Sequence, residues 1–197
     1  MTTKQIGLTG GIACGKSEVS RRLASAGIPV LDTDQVAHEV MRSGTEVFYR
    51  IVEHFGSGMI NDQGELNRRR LGDVVFSDGQ SLQELNRIVH PEVVRRLRTW
   101  LSEQTGPMAV VVIPLLMECG LENEFDGVLF VRSPEEQMKA RLMNRGFTAE
   151  QAESRIRAQW PVDEKAKRAD WILTNNTTLP DLYKQVDTWI TNQTVPE

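Results

Sequence analysis

One stretch limits this chain more than any other: Gly10-Gly-Ile-Ala-Cys-Gly15-Lys16-Ser17 fills every fixed position of the pattern GxxxxGK[ST]. The run Lys4 to Thr9, with apolar Ile6 and Leu8, predicts a strand before it, and Ser17 to Ala26, closed by Gly27, predicts a helix after it. Strand, glycine-rich loop and helix in that order form a phosphate cradle, because glycines let successive backbone N–H groups turn inward and the helix N-terminus adds partial positive charge. The cradle proper covers Gly11, Ile12, Ala13, Cys14, Gly15, Lys16, Ser17 and Glu18. Lys16 is placed to reach the β- and γ-phosphates of a nucleoside triphosphate, and Ser17 to ligate Mg²⁺.

The rest of the chain repeats the alternation of strand and helix. Ile28-Pro-Val-Leu31 reads as a second strand, ending at the acidic turn Asp32-Thr-Asp34. From about 35 to 105 the pattern is helical, with turns at Gly56-Ser-Gly58 and Asn61-Asp-Gln-Gly64, and it is too long for a simple crossover. Met108 to Ile113 is a continuous apolar, β-branched run, as in a strand covered on both faces, and reads as the centre of the sheet. Gly127 to Val131 repeats it, followed by a helix to Asn144 with Ser133 as N-cap and Pro134 at its first position. Thr148-Ala-Glu-Gln151 reads as a capping box, Trp171 to Thr174 as a last strand and Leu179 to Thr191 as a C-terminal helix. The expected fold is α/β, doubly wound with a parallel sheet, and the 35–105 stretch reads as an inserted helical region.

Several function classes drop out. No DxxG or [NT]KxD occurs, which disfavours a GTP switch. Net charge is −4, from 23 basic and 27 acidic residues, so no nucleic-acid partner is expected. The two cysteines, Cys14 and Cys119, have no metal-ligand spacing. No apolar run reaches membrane-spanning length and no signal peptide is evident, so no membrane partner and a cytoplasmic location are expected. The apolar strand before Pro114 carries no Asp at its end, which leaves Asp32 and Asp34 as the carboxylates able to orient or deprotonate a substrate hydroxyl. On the residues alone this is a small-molecule kinase, with a non-catalytic nucleotide-binding regulator as the alternative from another class. A cap made by Asp is the structural alternative for the acidic pair.

GLTGGIACGKS at 7 to 17, LDTDQVAH at 31 to 38, RRRLGDVVF at 68 to 76, IVHPEV at 88 to 93, IPLLMECG at 113 to 120 and RLMNRGFTAEQAESRIRAQ at 141 to 159 stand in one order across nearly the whole chain. Taken together the chain resembles the dephospho-CoA kinases, which implies an α/β P-loop kinase fold with a parallel sheet, a helical substrate-binding insertion and a small lid, in one domain with a core of 1–34, 106–140 and 169–197, an insertion of 35–105 and a lid of 141–168. The resemblance implies ATP-dependent phosphorylation of the ribose 3′-hydroxyl of dephospho-CoA, with ATP and Mg²⁺ as cofactors. By the same resemblance Asp34 is the catalytic base, Asp32 helps to organise the Mg²⁺ shell and contacts substrate, and Lys16, Arg141 and Arg145 stabilise the transferred phosphoryl group. His90, Leu115, Leu116 and Glu118 fall on the family's substrate-side segments, His90 remaining open between a substrate contact and a structural cap. Of Arg68 to Arg70, no more than one is expected to touch ligand. The lid segment 141–168 holds seven basic and four acidic residues, about half of the basic ones expected on a solvated face. The four tryptophans are expected to be packing residues. A monomer or small homo-oligomer is expected. Cys14 has two readings, a small side chain tolerated on a loop whose backbone binds, or a reactive thiol shielded by bound ATP.

Overall fold

The structure, a computed structural model, describes residues 3–194. Its elements run β1 (Lys4–Gly10), α1 (Lys16–Ser25), β2 (Val30–Asp32), α2 (Thr33–Val40), α3 (Glu46–Phe55), α4 (Arg68–Ser77), α5 (Gly79–Ser102), β3 (Met108–Val112), β4 (Gly127–Arg132), α6 (Glu135–Asn144), α7 (Ala149–Arg157), α8 (Val162–Ala166), β5 (Trp171–Thr174) and α9 (Leu179–Thr194). The chain divides into two compact units, Met1–Leu31 with Gln104–Glu197, and Asp32–Glu103.

In the first unit the strands form a five-stranded sheet in the order β2-β3-β1-β4-β5, with β1–β3, β1–β4 and β4–β5 paired in parallel. The centre is therefore β1, and the expectation that the 108–113 run would be central is corrected. That run is fully apolar because every residue of β3 is buried, so both of its faces are covered. In register, Ile6 faces Val110 and Gly127, and Leu8 faces Val112 and Leu129. One face of the sheet packs Ile6, Leu8, Val110, Val112, Leu129 and Val131 against Val19 and Leu23 of α1 and Leu182, Val186 and Trp189 of α9. Each side chain buried there contributes about 1.5–3 kcal/mol. Gly7 in β1 serves the other face: a Cβ there would lie 2.6 Å from Leu116 Cδ1 and 3.2 Å from the Phe125 ring.

The expected caps divide. Thr148 and Gln151 make the reciprocal capping box of α7. Ser133 does not cap α6, whose N-cap is Pro134 without a side-chain bond. Its hydroxyl instead donates to the Asn175 carbonyl at 2.8 Å, so the residue ties the end of β4 to the loop after β5.

The second unit is helical. Apolar residues of α2 and α3, among them Val36, Val40, Phe48 and Ile51, are buried, as are Leu71 and Val75 of α4 and Ile88 and Val89 of α5. The expected turn at 61–64 is held by Asn61, whose Oδ1 accepts the N–H groups of Gln63 and Glu65. Along α5, Glu92 is clasped by Arg95 and Arg96, and the Arg95 guanidinium is the first cause holding its carboxyl down at about 2. Among the described residues no helix is long and apolar enough to cross a membrane.

Candidate active site

The phosphate loop owes its shape to three residues with positive φ: Gly10 at 156°, Ala13 at 55° and Gly15 at 106°. Ala13 is the one non-glycine among them, at a strain of about 1–2 kcal/mol that a glycine would avoid. The loop turns its carbonyls toward protein donors. Lys16 Nζ donates to Gly10 O at 2.8 Å and Gly11 O at 2.9 Å, Asn175 Nδ2 to Cys14 O at 2.8 Å, and Arg141 Nη1 to Ala13 O at 3.1 Å. Its N–H groups have a different fate. Cys14 N donates within the loop to Gly11 O and Ile12 N to Gln159 Oε1 at 2.9 Å, while those of Ala13, Gly15, Lys16 and Ser17 meet no protein acceptor among the described residues. Loop carbonyls bonded and loop N–H groups left over, at the N-terminus of α1, make the donor set an oligophosphate requires.

Gly15 cannot be replaced without cost. A Cβ there would lie 2.4 Å from Asn175 Nδ2, the group that holds Cys14 O, in a backbone conformation that side chains rarely adopt. Gly15→Ala is expected to destabilise the protein by about 1–3 kcal/mol from backbone strain alone and to abolish tight ATP binding. Thermal unfolding with and without ATP checks both, and an unchanged ATP-induced rise in Tm would contradict it.

Lys16 has three donors, and two are spent on Gly10 and Gly11, so the ammonium is braced across the loop with one N–H available to a phosphate. Ser17 is exposed at the first turn of α1. Glu18 is engaged on the surface, accepting from Arg21 Nη1 at 2.6 Å and Tyr183 Oη at 3.0 Å, and Arg21 above all holds its carboxyl below the usual range. Its backbone N–H is also engaged, donating to Gly15 O at 3.0 Å.

Of the two readings of Cys14, the buried position fits the tolerated small side chain: it is 1% exposed and belongs to the core between sheet and α1. A Cβ on Gly10 would meet its sulfur at 2.7 Å, which shows how closely the side chain fills the space under the loop.

Arg141, expected at the transferred phosphate, is surrounded by protein acceptors: Ala13 O, Ser133 Oγ at 3.0 Å, Gln137 Oε1 at 3.2 Å and Asn175 O at 3.3 Å. It braces the loop from its carbonyl side. Arg145 is exposed at the end of α6 and has no side-chain partner among the described residues. Most of the other lid cations have one. Arg155 stacks on Phe147, Arg157 pairs with Glu153, Lys167 with Glu164 and Arg168 with Glu122.

The segment after β3 departs most from expectation. Leu115 is exposed, but Leu116 is fully buried against Gly7, so its side chain belongs to the core and not to a substrate surface. Glu118 forms an ion pair with Lys165 of α8, a lysine with no exposed surface, and accepts the Trp160 N–H at 3.3 Å. Sequence reasoning placed Lys165 in a solvated basic run; a lysine on the same helical face as Val162 was the available signal. Trp160 is likewise no packing residue: it is 40% exposed and carries the Arg168 guanidinium 4.9 Å from its ring centre. With Gly11, Ile12, Met138 and Gln159 it lines a cleft of 510 Å³ beside the phosphate loop, within the range of small-ligand sites.

In the second unit Asp32 is the N-cap of α2, its Oδ1 accepting the Asp34 N–H at 2.9 Å. The cap reading thus applies to Asp32, and Asp34 stands exposed in the first helical turn. His90 is exposed on α5 immediately before Pro91. Of the three arginines, Arg70 lies against Gly58 and Arg68 reaches the His38 carbonyl at 3.5 Å.

Comparison with known proteins adds what geometry alone does not. Residues 4–181 match the family model described as dephospho-CoA kinase. The chain is 44% identical over 191 residues to the dephospho-CoA kinase of Geobacillus kaustophilus, covering 93% of this chain and 94% of that one. It is 40% identical over 185 residues to the dephospho-CoA kinase of Thermosynechococcus vestitus, covering 93% and 91%. The crystal structure of TT1252 from Thermus thermophilus superposes with a TM-score of 0.86 at 38% identity, over 99% of this chain and 100% of that one.

Proposed function

The chain belongs to the dephospho-CoA kinase family, and from that premise we propose how its residues transfer the γ-phosphoryl group of ATP to the ribose 3′-hydroxyl of dephospho-CoA. The observation that carries the reading is the phosphate loop: its carbonyls are bonded inside the protein while the N–H groups of Ala13, Gly15, Lys16 and Ser17 remain for a ligand.

ATP phosphates are held by those donors and by Lys16, whose braced ammonium meets charge on the transferred group. Because phosphoryl transfer asks for positioning and charge stabilisation more than covalent help, Lys16 supplies much of the rate. Arg145, without a partner of its own, adds a second cation, and Arg141 acts through the carbonyls it braces. Asp34 accepts the proton of the 3′-hydroxyl as its oxygen bonds to the γ-phosphorus and ADP departs. His90 and the exposed Leu115 contact dephospho-CoA.

The residues fit Mg²⁺. Mg²⁺ is commonly carried on nucleotide phosphates with few protein ligands and several waters. The exposed Ser17 hydroxyl would be its direct ligand, and Asp32, half engaged as a cap, would accept from its waters. An ion held by these residues would supply neutralisation of phosphate charge.

The test offers purified protein Mg·ATP with dephospho-CoA, AMP or gluconate, following ADP release and product mass. CoA is expected from the first acceptor alone. Product only from AMP or gluconate would reassign the chain to another small-molecule kinase, and nucleotide binding without turnover would make it a regulator.

A further inference from the structure

The phosphate loop is touched from the lid at one backbone donor, Ile12 N, which gives its hydrogen to Gln159 Oε1. Gln159 lies in the short connection between α7 and α8, a stretch with no regular structure to hold it. What fixes it lies on both sides in the chain. The next residue, Trp160, donates its N–H to Glu118, and one helical turn later Lys165 closes an ion pair with the same carboxylate. Val162, on the Lys165 face of α8, packs toward Gly11, 3.4 Å from where a Cβ would stand. Glu118 itself is set by the tight turn after β3, where Cys119 N donates to Leu115 O and Leu121 N to Leu116 O.

The pair is an unusual choice if stability were its only purpose. Lys165 is fully buried and Glu118 Oε2 is buried with no hydrogen-bond partner. Desolvating two charges offsets most of their attraction, and a well-packed apolar pair commonly serves a core as well or better. The pair does fix an arrangement of segments, since the one oxygen Glu118 Oε1 both meets Lys165 Nζ and accepts the Trp160 N–H. Here that arrangement decides where the 159–165 segment sits on the loop.

We propose that Glu118 and Lys165 are positioning residues for phosphoryl transfer: they clamp the lid connection so that Gln159 holds the Ile12 N–H and with it the entry side of the phosphate loop. Glu118 acts on catalysis through Lys165, Trp160 and Gln159 and not as a ligand of dephospho-CoA. The inference rests on the phosphate loop being the ATP site.

The test is a mutant cycle in kcat/KM for ATP, using Gln159→Ala and the charge-free pair Glu118→Gln with Lys165→Met. Each alone is expected to lower kcat/KM by about tenfold, and the triple variant to lose little beyond the larger of the two, because both cut the same chain of contacts. Losses that multiply to about a hundredfold, or an unchanged kcat/KM in a folded Glu118→Gln/Lys165→Met protein, would overturn the proposal. Should that protein not fold, Lys165→Arg carries the same cycle, since it keeps the charge but replaces a point ammonium by a planar fork. The KM for dephospho-CoA is expected to stay within twofold throughout, and a selective rise in it would return Glu118 to the substrate. Wild-type protein run alongside keeps the premises apart: no CoA from wild type defeats the ATP-site reading, whereas active wild type with multiplying losses defeats the positioning role alone.

Discussion

Asp34→Asn should lower kcat by about 10²- to 10⁴-fold, the range of a positioned general base, while leaving ATP binding within about threefold of wild type. The asymmetry follows from where the residue acts. The substrate hydroxyl loses its proton during transfer, so an amide of the same shape forfeits an interaction made in the transition state and little made with the nucleotide. The backbone bond from the Asp34 N–H to Asp32 Oδ1 survives the change, because an Asn keeps that N–H. ATP titration by calorimetry beside steady-state kinetics separates the two quantities. Equal losses in both would move Asp34 into the metal or nucleotide shell.

The second large effect belongs to Lys16. Lys16→Ala removes the cation proposed to meet the transferred group and also the donor shared by Gly10 O and Gly11 O. Losing one preorganised charge-stabilising donor costs about 10²–10³ in kcat, and here ATP affinity should fall as well because the loop loses its brace. Lys16→Arg should not restore activity: the guanidinium is longer, planar and unsuited to a point held between two carbonyls. Circular dichroism and thermal unfolding are expected to show a folded protein, since the residue is only half-buried and lies outside the core cluster. A Lys16→Ala enzyme with near wild-type kcat would remove the lysine from the transfer step.

Much of this could be read in one dimension, for definable reasons. The phosphate loop shows itself because its geometry demands glycines at set spacing before a helix, and β4 and β5 because buried strands are short apolar runs. The helical 35–105 region stands out by periodicity, and it corresponds to a compact unit of 32–103. What sequence could not supply was order and partnership. β1 carries only Ile6 and Leu8 as large apolar residues while β3 is apolar throughout, and nothing in either states which lies at the middle of the sheet. Ser133 has the pattern of a cap, but the Asn175 carbonyl, 42 residues away in the chain, competes for its hydroxyl. Cys14 looked like a loop residue because it lies between loop residues, whereas the loop's turn directs its side chain into the core. Lys165 and Glu118 are charged residues that composition assigns to the surface; only tertiary structure buries them together. Each miss involves a contact distant in sequence, where local propensity has no say.

The central claim is that the phosphate loop delivers the γ-phosphoryl group of ATP to one oxygen of dephospho-CoA. It is tested most directly by a single turnover with γ-labelled ATP, protein in excess and dephospho-CoA as sole acceptor, the products read by phosphorus NMR and mass. The account predicts that the label appears as one 3′-phosphate monoester on CoA, with one ADP formed for each, and that Lys16→Ala slows its appearance. Label recovered as inorganic phosphate, or on any other position of the acceptor, would contradict it.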